Sequence, residues 1–159
     1  MKFEAKIKAI IKRTYNIKSF RFNKPASFNY KPGQFMCITL KHGIQKMSKH
    51  FTILRSPTED YLEFTKKLTG HPFSNALDEL KEENSLEING PFGFFTFEGE
   101  AQKVGMLTGG IGITPIRSMC RFCTDQKKKQ TSSFFTATAL SKTLPFSKNL
   151  RICSKRTKT

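Results

Sequence analysis

One stretch of the sequence decides the fold class: VGMLTGGIGITPIRSM, residues 104–119. The run from Val104 to Thr108 shows no alternation of apolar and polar residues, which is typical of a strand buried on both faces. Three glycines follow within residues 109–112, and Thr114-Pro115 opens a helix, since proline is favoured in the first helical turn. A buried strand, a glycine-rich loop and a helix are the beginning of an α/β nucleotide-binding domain.

The hundred residues before this stretch show the pattern of short strands separated by turns. Alternation of apolar and polar residues, as at Phe3, Ala5 and Ile7, is typical of strands with one buried face. A helix is predicted over residues 71–80, because its apolar residues share one helical face. Six short strands with one helix predict a six-stranded antiparallel Greek-key barrel. The predicted strands are Lys2–Thr14, Ile17–Asn23, Phe35–Leu40, Phe51–Leu54, Tyr61–Leu68 and Ser85–Asn89.

These patterns divide the chain into three parts. Residues 1–100 form the barrel, residues 101–126 form the first β-α unit of a nucleotide-binding domain, and residues 127–159 form a basic tail. The formal charge is +16, but the tail holds nine Lys or Arg residues and no acid, which leaves +7 for the first 126 residues. Because most of the excess charge lies in the tail, the composition gives little support for nucleic acid or an acidic membrane as a partner.

Four segments, taken in order, resemble the ferredoxin-NADP reductase family of flavoproteins. They are KPGQF at residues 31–35, KHFTI at 49–53, FTKKLTG at 64–70 with Ser74-Asn75, and GPFG at 90–93 followed by the glycine-rich stretch. The last is the most specific. GPFG is separated from the glycine cluster by the number of residues typical of the family, and that cluster follows a strand and opens a helix. The resemblance implies a flavin-binding barrel and an oxidoreductase that uses FAD, or FMN, with NADH or NADPH as its co-substrate.

The resemblance also implies the residues that contact the flavin. A cation at Lys49 would meet the FAD pyrophosphate, the ring of Phe51 would pack along the flavin, and the hydroxyl of Thr52 would hydrogen-bond near the reactive flavin nitrogen. The family usually has arginine where this chain has Lys49, and lysine lacks the two-pronged donor that suits a phosphate. Lys49 is alternatively a solvated charge on a strand.

A further anion site is predicted where the helix begins. Free backbone amides at a helix N-terminus bind anions, and Ser74 adds a hydroxyl for the pyrophosphate. Without the resemblance, Ser74 would be an ordinary N-cap. The cofactor contacts implied for this part of the chain are Phe64, Lys66, Gly70, Ser74 and Asn75.

The glycine-rich loop is expected to take the nicotinamide nucleotide. In the family, the glycines let the backbone approach the nucleotide, and a threonine lies beside the nicotinamide ring as it stacks on the flavin. The resemblance gives these roles to Gly109, Gly110, Gly112 and Thr114, so that Thr52 and Thr114 are the predicted catalytic residues.

Other classes of site find little support in the sequence. The four cysteines, among them Cys120 and Cys123, are too few and too unevenly spaced for a disulfide framework or a zinc site, so no metal is predicted. No iron-sulfur cysteine motif is present, so the electron acceptor is expected to be a separate protein or a small molecule. A cytoplasmic protein without membrane insertion is the expectation, since no apolar run has membrane-spanning length. The alternatives left open are a non-catalytic flavin-binding remnant and a basic nucleic-acid-binding barrel.

The tail does not continue the family's pattern. After residue 126 a second buried strand and a helix are expected, but the sequence over residues 130–139 indicates neither. The three lysines at 127–129 suggest a run of adenines, where a base is easily gained or lost. Read one base earlier, the codons permit Thr-Asp-Ile-Ile-Leu-Leu-Tyr-Ser-Asn-Ser, a buried strand, and then Asp-Ile-Ala-Phe-Gln-Gln-Glu-Leu-Glu-Asn-Met, a helix former. The hypothesis is that residues from about 128 onward are a frameshift product and disordered; resequencing the locus without finding an indel would refute it.

Overall fold

The computed structural model describes residues 1–101, 103–127 and 131–137. Within these residues, a 3₁₀ turn at Gly110–Gly112 precedes the second helix. In chain order the elements are β1 (Lys2–Lys12), β2 (Ile17–Asn23), β3 (Phe35–His42), β4 (Gln45–Thr52), β5 (Tyr61–Lys67), α1 (Pro72–Asp78), β6 (Ser85–Phe92), β7 (Lys103–Gly109), α2 (Ile113–Asp125) and β8 (Thr131–Ala137).

The first six strands form one antiparallel sheet in the order β4-β3-β6-β1-β2-β5. Strands that follow each other in the chain are often separated in this sheet, as in a Greek key. The two edge strands, β4 and β5, also lie against each other. The predicted fold of six antiparallel strands with one helix is therefore confirmed.

The core of the sheet is aromatic. Phe64 is fully buried and stacks on Phe20 with ring centroids 5.2 Å apart and on Phe22 at 5.8 Å. Apolar residues from all the other strands of the sheet and from α1 complete this core. Each buried phenylalanine contributes roughly 1.5–3 kcal/mol relative to an exposed one, so the stacked rings stabilise the sheet.

One strand differs from its prediction. The sequence predicts a strand over Phe51–Leu54, but β4 begins at Gln45 and pairs along its whole length with β3, from His42↔Gln45 to Phe35↔Thr52. The turn between them places Gly43 at φ +58°, a conformation that glycine adopts without strain. The first half of β4 was missed because an exposed edge strand shows no apolar alternation.

A second, smaller unit follows the sheet. Strands β7 and β8 are parallel and pair from Lys103↔Thr131 to Gly109↔Ala137. Helix α2 lies between them in the chain. The prediction that β7 is buried on both faces is wrong for Leu107, which is 79% exposed. Within the described residues, β7 pairs only with β8, and α2 packs against it.

The tail also requires a correction. No strand was predicted over residues 130–139, yet Thr131–Ala137 forms β8. Threonine and phenylalanine are favoured in strands, and pairing with β7 gives this short segment its hydrogen-bonding partner. Residues 128–130 and 138–159 lie outside the described residues, so the frameshift hypothesis stays a hypothesis.

Candidate functional site

Three of the four motif segments meet at one residue, Gln34. Its backbone carbonyl accepts a hydrogen bond from the Ile53 N–H at 2.9 Å, and its side-chain amide donates to the Gly93 carbonyl at 3.0 Å. The neighbouring Gly33 has φ +102°, and a Cβ there would lie 2.2 Å from the Phe95 carbonyl oxygen. The positive φ and the nearby carbonyl therefore require glycine at position 33. The turn at residues 31–35 brings KHFTI and GPFG to one place.

Phe51 lies near the end of β4 and is held by aromatic neighbours. Its ring stacks on Phe64 with centroids 4.6 Å apart and tilts against Phe73 at 5.8 Å. Phe51 remains partly exposed, as does Thr52 beside it. An aromatic ring and a hydroxyl are thus both partly accessible at this end of β4.

The structure corrects the role expected for Phe64. Its side chain has no exposed surface, since it lies between the rings of Phe20, Phe22 and Phe51. A ring enclosed in this way cannot contact a cofactor. Phe64 instead packs against the ring of Phe51 from the core of the sheet.

Lys49 on β4 and Lys66 on β5 form a pair of cations where the two edge strands of the sheet meet. Burial lowers the pKa of Lys66, and the charge of Lys49 lowers it further. Among the described residues, no carboxylate lies within ion-pair distance of either ammonium group. Two neighbouring cations that repel each other favour an anion between them.

The loop before α1 is closed by the side chains predicted to bind phosphate. Ser74 is buried, and its hydroxyl accepts a hydrogen bond from the Thr69 N–H at 3.0 Å. Asn75 donates its side-chain amide to the Gly70 carbonyl at 3.0 Å, and Gly70 has φ +74°. The alternative that Ser74 is the N-cap is wrong, because the N-cap is His71. The phosphate contacts of Gly70, Ser74 and Asn75 stay predictions.

The glycine-rich turn joins β7 to α2 and lies against β5. Gly110 has φ +51°, and the space around its Cα is open, so a ligand could approach the backbone there. Gly112 is more confined, since a Cβ would lie 3.0 Å from the Thr108 hydroxyl. Thr114 is buried and donates its hydroxyl to the Ile111 carbonyl at 3.2 Å. Its predicted place beside a nicotinamide ring stays a prediction, as do the roles of Gly109, Gly110 and Gly112.

A network of charges that the sequence did not reveal joins the sheet to α2. The guanidinium of Arg117 binds both carboxylate oxygens of Glu59, with NH2 to Oε1 at 2.9 Å and NH1 to Oε2. Arg55 donates to Glu59 at 2.7 Å, and Arg117 also donates to the Leu54 carbonyl at 3.2 Å. Burial alone would raise the pKa of Glu59, but these guanidinium groups and the Ser56 N–H lower it to about 2. Glu59 is therefore charged throughout the physiological range.

Two kinds of feature are absent among the residues that the structure describes: a cluster of metal-ligating side chains and a membrane-spanning helix. No group of three or more His, Cys, Asp or Glu side chains lies close enough together there to hold a metal ion. In the same part of the chain, no helix combines the length and apolar character needed to span a bilayer.

Comparison with known proteins identifies the family. Residues 4–97 match the family model of the oxidoreductase FAD-binding domain. The glycine betaine monooxygenase reductase subunit of Pseudomonas aeruginosa is 38% identical over 122 residues, which is 73% of this chain and 33% of the relative. A probable dihydroorotate dehydrogenase B (NAD(+)) electron transfer subunit of Pyrococcus furiosus is 34% identical over 107 residues, 67% of this chain and 38% of the relative. The chain thus spans about a third of the length of the curated relatives it matches.

The fold comparison agrees. A ferredoxin NADP+ reductase from Neisseria gonorrhoeae, solved with bound FAD and NADP, superposes with a TM-score of 0.84 over 95% of this chain and 63% of that one, at 20% identity. At that identity the likeness concerns the fold alone, whereas the family model covers most of the barrel. The chain belongs to the oxidoreductase FAD-binding domain family, and its fold is that of a ferredoxin NADP+ reductase.

Proposed function

We propose that the barrel holds FAD along its β4–β5 edge, and that the whole protein transfers electrons from NADH or NADPH to an acceptor on a separate chain. The observation that carries the proposal is a pair of neighbouring cations, Lys49 and Lys66, which have no carboxylate partner among the described residues. Lys49 is on the same strand as Phe51 and Thr52. A diphosphate and a flat heterocycle joined in one molecule fit this set of side chains.

The residues present fit the parts of FAD separately. Lys49 and Lys66 would neutralise the pyrophosphate, because charge-assisted hydrogen bonds to phosphate are among the strongest. Phe51 would hold the flavin ring, and Thr52 would hydrogen-bond its edge. FAD, when bound, supplies the hydride and electron chemistry, and the protein supplies binding and orientation.

The second unit supplies the matching surface for the nicotinamide nucleotide. The open backbone at Gly110 lets a ligand approach, and the turn that contains it lies against β5, the strand of Lys66. Relatives named as reductase and electron transfer subunits act with further components, which supports an acceptor on another chain.

The test is the visible absorption spectrum of the purified chain after incubation with FAD and removal of the excess. We expect a bound flavin spectrum, with FAD affinity lowered about thirtyfold in a Phe51→Ala and Thr52→Ala double variant, because a stacked ring and a hydrogen bond each contribute on the order of 1 kcal/mol. Tyr15→Ala is the matched control, since Tyr15 is an exposed aromatic residue in the turn between β1 and β2. A folded chain that retains no flavin would contradict the proposal and favour the nucleic-acid-binding alternative.

A further inference from the structure

The contact between the sheet and the second unit is small and centres on one loop. This loop, residues 53–60, runs from β4 to β5. Leu54 is buried in a second core with Met106, Ile113, Ile116 and Met119, which come from β7 and α2. Among the described residues of that cluster, Leu54 is the buried residue that comes from the sheet side.

Polar contacts from the same loop complete the docking. The Arg55 carbonyl accepts hydrogen bonds from Ser118 at 2.6 Å and from Tyr30 at 3.0 Å. Glu59 receives two bonds from Arg117, and both side chains are largely buried, with exposed fractions of 14% and 9%. α2 is thus held by directional bonds that fix both its distance and its rotation relative to the loop.

The contact between residues 53–60 and α2, called the joint below, lies close in the sequence to both proposed ligand sites. Leu54, whose carbonyl binds Arg117, follows Thr52 by two residues, and Arg117 follows Thr114 by three residues on the same helix. The joint is therefore only two residues from a residue proposed for the flavin and three residues from one proposed for the nicotinamide. A shift of α2 against the loop would therefore move one set relative to the other.

We propose that Glu59 and Arg117 are positioning residues, which set the glycine-rich turn at a fixed place against the flavin edge of the barrel. The inference rests on the proposed function for its purpose, although the joint itself is independent of any ligand. Stacking of a nicotinamide on a flavin depends on small distances, and a displacement of about 1 Å in a reacting pair can cost on the order of a hundredfold in rate.

The test measures hydrogen exchange of the α2 amides, Ile113–Asp125, relative to the β1 and β2 amides in the full chain. Glu59→Gln keeps the size of the side chain and removes its charge, so exchange in α2 is expected to accelerate at least about tenfold while β1 and β2 keep their rates. Glu59→Asp keeps the charge and is expected to preserve most of the protection. A purely steric role would give the opposite order, with Gln tolerated and Asp not.

The matched control is Glu98→Gln. Lys31 and Glu98 form an ion pair at 2.7 Å between the sheet and the segment before β7, but both side chains are substantially exposed. This variant is expected to leave α2 exchange within about twofold of the wild type, as for an exposed pair. Unchanged exchange in Glu59→Gln, or equal acceleration in all strands, would overturn the positioning role.

The two proposals fail in different ways. All these variants are expected to retain the bound FAD spectrum, because the proposed flavin contacts lie on β4 and β5. Failure of the wild-type chain to bind FAD would refute the proposed function. The hydrogen-exchange measurement needs no ligand and would still test the contact between Glu59 and Arg117. Retained FAD with unperturbed α2 exchange in Glu59→Gln would refute the positioning role alone.

Discussion

Replacing Glu63 by glutamine is expected to destabilise the barrel by about 3–5 kcal/mol, the usual effect of removing one partner from a buried ion pair. Glu63 lies in the middle of β5 with no exposed side-chain surface. It accepts hydrogen bonds from Arg13 at 2.5 Å, from Arg21 at 3.0 Å, and from two nitrogens of Arg55 at 2.7 and 2.9 Å. Burial alone would raise its pKa, but the charges of Arg55 and Arg13 lower it below the usual range.

Glutamine has nearly the same shape as glutamate, so the expected loss reflects charge rather than packing. Without the carboxylate, guanidinium groups from three segments face one another with less compensation. Urea unfolding followed by far-ultraviolet circular dichroism measures the loss. Glu87→Gln is the control, because the Lys2–Glu87 pair at 3.1 Å is partly exposed and should contribute about 1 kcal/mol or less. Equal unfolding midpoints for the two variants would show that the buried network adds no stability.

Much of the barrel could be predicted because local patterns determine it. Alternating residues in β1 and β2 and turn residues between strands carry enough information to assign type and approximate limits. The pattern fails where the strand has no buried face. The first half of β4 is exposed at the edge of the sheet, and its Gln45 to Lys49 segment has the polar composition of a loop.

The candidate site could be predicted in part, and for a different reason. The resemblance identified Lys49, Phe51 and Thr52 as a group, and the structure places them together at the end of β4. It could not distinguish a residue that faces a ligand from one that supports it, which is why Phe64 was assigned a contact that its burial excludes.

The ion pair between Glu59 and Arg117 could not be predicted from the sequence. Its partners are 58 residues apart, and no periodicity or motif links a glutamate in a loop to an arginine in a distant helix. Long-range ion pairs are determined by how the elements pack, so they become visible only when the fold is known.

Substitutions of Lys49 are expected either to weaken or to strengthen FAD binding, depending on the side chain that replaces it. Lys49→Met removes a charge-assisted hydrogen bond worth about 1.5–3 kcal/mol, so the Kd for FAD should rise roughly tenfold to a hundredfold. Lys49→Arg supplies two parallel donors in place of a point charge and should lower the Kd. Titration of FAD, followed by the change in flavin fluorescence, measures both effects. Lys46→Met is the control, because Lys46 is an exposed lysine on the same strand and its loss changes the net charge equally.

The pH dependence of binding tests whether Lys66 takes part. Burial and the Lys49 charge hold the pKa of Lys66 below the ordinary lysine value of 10.5. Only the protonated form attracts a diphosphate, so FAD binding is strongest well below this pKa and weakens as the pH rises through it. In Lys49→Met the repulsion is gone, the pKa of Lys66 rises toward 10.5, and the loss of affinity should move to higher pH. A wild-type Kd that stays constant as the pH approaches 10.5, with Lys66→Met giving the same profile, would show that Lys49 binds the phosphate without its neighbour. A shift in the expected direction would show that the two lysines act as one anion site across the β4–β5 edge.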